Sequence, residues 1–137
     1  DYTYHNHPVK REDSRYLHRS VFDWNAAKER HDGESIPGQI FKNLRKLSDI
    51  RKHYTVFNTD ADVRTIETGD ISVLGIIREN QQEKLIALFN FSEYSKNLQL
   101  DELEGYFVDL ISNENSNFSK VVLEPFGVKW FWKKVSV

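Results

Sequence analysis

Two hydrophobic periods divide this chain. Up to about residue 57, apolar residues recur at helical spacing where they recur at all; from residue 58 they alternate in twos. Residues 1–22 follow neither period. Pro8 interrupts them, and Lys10 to Asp13 is a solvated charge cluster. Asp23 is placed to cap a short helix over Trp24 to Arg30, and His31-Asp32-Gly33 ends it. Ser35 caps a second helix, and Pro37 falls in its first turn, where a missing N–H costs little. This helix is predicted over Gly38 to His53. Its stripe is Ile40, Phe41, Leu44, Leu47, Ile50 and Tyr54, with Lys42, Arg45, Lys46 and Lys52 mostly off it.

Beyond the loop Asn58 to Asp62, seven strands are predicted: Val63–Glu67, Ile71–Arg78, Lys84–Phe91, Lys96–Leu100, Tyr106–Leu110, Lys120–Glu124 and Val128–Lys133. Turn signals separate most of them: Thr68-Gly69-Asp70, Glu79 to Glu83, Glu104-Gly105, Ser112 to Asn117 and Pro125-Phe126-Gly127. In the third strand Leu85, Ala87, Phe89 and Phe91 share one face, while Ile86 and Leu88 share the other. A strand apolar on both faces belongs in the middle of a sheet. In the last strand Val128, Trp130 and Trp132 share a face, and Lys129 and Lys133 flank Phe131 on the other. Seven short strands at this spacing predict a mainly β fold, an antiparallel β-sandwich of the Greek-key type, over residues 58–137. The helical part, residues 1–57, is too small to close a core alone and needs something to pack on.

Composition narrows the chemistry. The 137 residues contain no cysteine, which removes disulfides and thiolate metal sites. No apolar run approaches the ~18 residues of a membrane span, so no membrane partner is predicted. The chain opens on Asp rather than Met, shows no signal peptide, and reads as an excised or processed piece for which a cytoplasmic address is favoured. Residues 1–57 carry a net charge of +3 and residues 58–137 a net of −5. The basic residues are interspersed with acids rather than clustered, so nucleic acid is not a predicted partner.

The candidate sites divide accordingly. His5 and His7 could be two metal ligands, but no further ligand falls at a suitable spacing; they read as a surface pair, and neither metal nor cofactor is predicted. Asn90-Phe91-Ser92 and Asn117-Phe118-Ser119 match the glycosylation acceptor pattern, with Asn90 inside a predicted strand. The carboxylate pairs Glu12/Asp13, Asp60/Asp62 and Asp101/Glu102 sit in polar loops and read as solvated rather than as a glycosidase pair, which needs a sugar site between its carboxyl groups. Trp130 and Trp132 could be a sugar-stacking platform; alternate large aromatics in a strand are more often core. Arg15 and Arg19, among Tyr16, His18, Phe22 and Trp24, have two readings that stand level: an anion clamp, or a loop pinned by ordinary salt bridges.

A resemblance adds to this. Asp13-Ser14-Arg15-Tyr16-Leu17-His18-Arg19, Phe22-Asp23-Trp24, Arg30-His31-Asp32, Gly38-Gln39-Ile40-Phe41 and Leu44-Arg45 resemble the C-terminal portion of amylosucrases, members of glycoside hydrolase family 13, the α-amylase family. The likeness continues through Leu47, Ile50-Arg51-Lys52, Asn90-Phe91-Ser92 and Leu123-Glu124-Pro125-Phe126-Gly127-Val128. Amylosucrases commonly have His-Arg-Pro where this chain has His18-Arg19-Ser20. The resemblance implies that residues 1–57 are the loop and the one or two helices closing a truncated (β/α)8 barrel. Residues 58–137 would then be the C-terminal sandwich. It implies a parent that moves a glucosyl unit from sucrose to α-glucan or water, with its catalytic carboxylates on upstream barrel strands and none here. Arg15, and less directly Arg19, would be sucrose-pocket residues. The implied partners are the missing barrel, sucrose or α-glucan through the parent, and a second copy of the fragment by self-association. An autonomous carbohydrate-binding sandwich, and the C-terminal part of a related sucrose hydrolase or α-glucosidase, are the alternatives.

Overall fold

The structure, a computed structural model, describes residues 12–13, 23–116 and 120–135. It falls into two compact units that meet inside one helix, between Leu44 and Arg45.

In the first unit Asp23 caps a turn, its carboxylate accepting the N–H groups of Asn25 (2.8 Å) and Ala26 (3.1 Å). The short helix that follows is a 3-10 helix, Ala26–His31. The main helix, α1, is Ile36–His53. Ser35 Oγ accepts the Gly38 N–H at 3.1 Å, satisfying one of the donors that a helix start leaves unpaired. Phe41 meets the His31 ring edge-on at 6.2 Å, with the Arg30 guanidinium 5.9 Å above its centroid. The stripe in this unit is open: Ile40, Phe41 and Leu44 are 54%, 39% and 61% exposed, and Ile36 ahead of it is 74% exposed. At the other end, Arg51, Lys52 and His53 occupy the last turn, where positive charge complements the helix dipole.

The second unit is the sandwich. Its strands are β1 (Asp62–Ile66), β2 (Val73–Glu79), β3 (Glu83–Asn90), β4 (Lys96–Gln99), β5 (Phe107–Asp109), β6 (Glu114–Ser116), β7 (Lys120–Leu123) and β8 (Val128–Lys134). One sheet runs β1-β2-β3-β8-β5-β6 and the other pairs β4 with β7. Every pairing is antiparallel. β6 lies within the stretch Ser112 to Asn117, whose polar residues signal a turn. Only its first part turns, at Asn113 (φ 61°), and Glu114 to Ser116 then zip onto β5 as a polar edge strand.

β3 lies inside the large sheet and is buried on both faces, as its two-sided apolar pattern predicts. Ile86 and Leu88 point into the core between the sheets, with Ile77, Phe107, Phe131, Leu98, Val121, Leu123 and Leu103. Leu85 faces the other way, into a second cluster with Val56, Leu110, Ile50, Tyr54, Phe57, Trp130 and Trp132. So the end of α1 and the following turn cover the outer face of the large sheet. That turn is held by polar contacts: Glu83 accepts from the Val56 N–H (2.8 Å) and Thr55 hydroxyl (3.0 Å). Arg78 donates to the carbonyls of Val56 and Asn58, both at 2.8 Å. Lys133 sits over the Phe107 ring at 4.4 Å, spending its charge on an aromatic face.

Candidate functional site

Trp130 and Trp132 share a face of β8, as the alternation predicts, but they do not form an open platform. Trp132 packs edge-on against Tyr54 with centroids 4.9 Å apart, and Trp130 lies 5.3 Å from Phe57. Their indole nitrogens are buried and have no hydrogen-bond partner among the described residues. An unmade buried hydrogen bond costs about 1–3 kcal/mol, so these rings are placed for apolar contact. The core reading of the pair is the one the structure supports.

Three open aromatics lie elsewhere, at one end of the sandwich. There the β1–β2 turn, the β3–β4 turn and the β7–β8 turn meet. Asn90, 3% exposed, is the knot. Its amide group donates to the carbonyls of Tyr94 (2.7 Å) and Glu124 (2.9 Å), while its oxygen accepts from the Ser92 N–H (3.0 Å) and hydroxyl (2.8 Å). A side chain so engaged is a structural clamp and not a glycan acceptor. Phe126 N–H donates to Ser92 carbonyl at 3.0 Å, and Phe91 N–H to Ser72 carbonyl at 2.8 Å. Held on these turns, Phe91, Tyr94 and Phe126 are 66%, 67% and 68% exposed. Phe126 has φ 53°, a left-handed conformation that costs an ordinary L-residue about 1–2 kcal/mol. Its neighbour Gly127 has no such φ, but a Cβ there would stand 2.7 Å from the Glu124 carbonyl oxygen. The glycine is required for close approach, and the phenylalanine takes the turn.

Asp70 and Lys96 close the same end with a 2.8 Å ion pair. The Lys96 ammonium, then the Ser72 hydroxyl and N–H, hold the Asp70 carboxyl down at about 2, from 3.8. A lowered carboxyl pKa means that the pair stabilises the fold above about pH 4 and loses that contribution as pH falls toward about 2. Asp70→Asn is therefore expected to flatten the acid limb of the thermal midpoint between those two pH values. A limb as steep as that of the unmodified chain would contradict the pairing.

The remaining carboxylates are exposed or engaged. Asp60 and Asp62 are exposed, on an open cleft of about 970 Å³ shared with Arg64, Glu79 and Asn80. Asp101 and Glu102 lie in a 3-10 turn, Asp101–Leu103, which buries Leu103 instead. Among the described residues the buried carboxylate is Asp109, which the sequence does not flag. It accepts from the N–H groups of Trp130 (3.0 Å) and Ile111 (3.1 Å) and from the Ser112 hydroxyl (2.9 Å), with Lys129 at 3.5 Å. Among the described residues no group of three His, Asp or Glu side chains could hold a metal. Arg15, Arg19, His5, His7 and Asn117-Phe118-Ser119 lie outside the described residues.

The second unit is thus an antiparallel β-sandwich, with Asp70, Glu83 and Asp109 engaged in its turns and strands. No protein-family model matches the chain. Among solved structures, an Anoxybacillus α-amylase matches with a TM-score of 0.62 at 13% identity, over 72% of this chain and 23% of that one. The trehalulose synthase MutB from Pseudomonas mesoacidophila matches at 0.62 and 21% identity, over 81% of this chain and 20% of that one. A Bacillus licheniformis trehalose-6-phosphate hydrolase matches at 0.55 and 24% identity, over 68% and 18%. These neighbours are enzymes of glycoside hydrolase family 13. The likeness is one of fold, and the chain spans about a fifth of their length.

Proposed function

We propose that this chain is the non-catalytic C-terminal portion of an amylosucrase-like enzyme of the α-amylase family. The complete enzyme would transfer a glucosyl unit from sucrose to an α-glucan or to water. The observation that carries this reading is a fold shared with about a fifth of the length of an α-amylase and of a trehalulose synthase. One of those neighbours, MutB, has been captured with sucrose as its substrate. The motifs around Arg15 and Arg19 supply the narrower resemblance to amylosucrases.

Two features support the division of labour. The engaged carboxylates Asp70, Glu83 and Asp109 are bound to lysines, hydroxyls and backbone N–H groups, so each works for the fold. The open stripe Ile36, Ile40 and Leu44 suits a helix that closes a barrel. Residues 1–57 would then be the barrel's closing loop and helices, and residues 58–137 the domain behind it. Alone, the same stripe favours self-association of the 137-residue chain. Incubated with sucrose, the purified chain is expected to release neither glucose nor fructose above background. Turnover that copurifies with the chain and survives further fractionation would overturn the non-catalytic assignment.

A further inference from the structure

We infer that the free edge of β1 is a pairing surface for a second copy of this chain, joined antiparallel about a two-fold axis at Val63. β1 ends the order of the large sheet, and among the described residues no strand pairs with its outer side. An unpaired strand edge is a row of backbone donors and acceptors open to another strand. Asp62, Val63, Arg64 and Thr65 are all exposed, Val63 by 58%. Successive side chains of a strand point to opposite faces. Asp62, Val63 and Arg64 all border the open cleft of about 970 Å³, so open space adjoins both faces of the strand's first half.

Charge selects the partner. Two identical strands that continue one sheet about a two-fold axis must set some residue opposite its own copy, because directly opposed residues share a face. Centred on Asp62 or on Arg64, the pairing sets like charges against each other. Centred on Thr65, it opposes no charges. Centred on Val63, it sets Asp62 opposite the second copy's Arg64, and Arg64 opposite the second copy's Asp62. Opposite charges facing across antiparallel strands attract, and like charges repel. Among the described residues neither Asp62 nor Arg64 has an ion-pair partner. Asp62 faces Glu79 across the β1–β2 ladder, a like-charge pair, and Arg64 faces Ile77. A guanidinium arriving from the open side offsets the first, and a carboxylate balances the second. Two strands of five residues bury less than the roughly 1,200 Å² of a stable interface, so the dimer is weak and salt-sensitive. The pairing rests on β1 alone and is independent of the chain's parentage.

Sedimentation velocity of the full chain across a concentration series at low salt tests this. Every protein carries Leu44→Glu, which places a charge in the open stripe of α1 and closes that route to association. With Asp62 and Arg64 unmodified, a concentration-dependent dimer is expected, and it should dissociate as salt rises. Arg64→Glu meets Asp62 with a carboxylate, and Asp62→Arg meets Arg64 with a guanidinium, so each variant alone should dimerise about tenfold more weakly. Mixed in equal amounts, the two variants restore both opposite-charge pairs and should regain the dimer. Both positions are exposed, so the thermal midpoints should stay together. A monomer at every concentration overturns the assignment. So does a dimer that neither variant weakens, or a mixture of the two variants that associates no better than each alone.

Discussion

Phe131→Ala is expected to bring the sandwich to the edge of unfolding at room temperature. Phe131 is 3% exposed in the middle of β8, between Ile86 on β3 and Asp109 on β5. It faces the core that both sheets share. Truncating a buried phenylalanine costs about 3–5 kcal/mol, because transfer energy and a cavity add. A domain of this size has on the order of 5–15 kcal/mol in all, and a small one sits toward the lower end. Urea unfolding followed by tryptophan fluorescence should show the midpoint collapse. Val122→Ala, at a 51% exposed position on β7, should shift it by no more than about 0.5 kcal/mol. Similar small shifts for both variants would mean that the core does not lie between these sheets.

Asp109→Ala is expected to cost nearly as much, for a different reason. It leaves the N–H groups of Ile111 and Trp130 without their acceptor and Lys129 without its carboxylate. Orphaned buried donors cost about 1–3 kcal/mol each, while the partly exposed Lys129 ammonium can turn to water and adds little. Asp109→Asn keeps one acceptor oxygen and should recover part of the loss. The same unfolding experiment separates the two variants. If alanine and asparagine were equally harmless, Asp109 would not be the clamp that joins β5 to β8.

Both residues belong to the sandwich, and neither is marked in the sequence. Phe131 is flanked by Lys129 and Lys133 on its face of β8, a pattern that resembles a solvated face; its burial depends on the second sheet that covers it. β3, by contrast, announces its central place by having apolar residues on both faces. The helix start at Ser35 and Pro37 was readable from cap chemistry, and the structure only moves the first helical residue to Ile36. Asp109 carries no such mark, since a single acid in a short strand has the same local pattern whether it is solvated or clamped. Its role depends on Trp130, twenty-one residues away in sequence.

The exposed rings follow the same logic. Asn90-Phe91-Ser92 matches a modification motif locally, yet the amide is consumed by Tyr94 and Glu124. Phe91 and Phe126 look like ordinary strand-end aromatics until the turns between strands are placed together. Trp130 and Trp132 left two readings open because period two puts both rings on one face without saying what covers it. Tyr54 and Phe57 cover it, and they lie on the far side of the helix-to-strand boundary. β6 was hidden because a polar edge strand has the composition of a turn.

As the proposed C-terminal portion of an amylosucrase-like enzyme, this sandwich would have its catalytic acids encoded upstream. Sequencing the gene on the 5′ side of the Asp1 codon decides the matter. An open frame encoding a (β/α)8 pattern is expected, with an Asn-His-Asp motif ahead of the loop that leads into Asp13. A frame closed by a stop codon just upstream of Asp1, or one continuing into an unrelated fold, would rule that parent out.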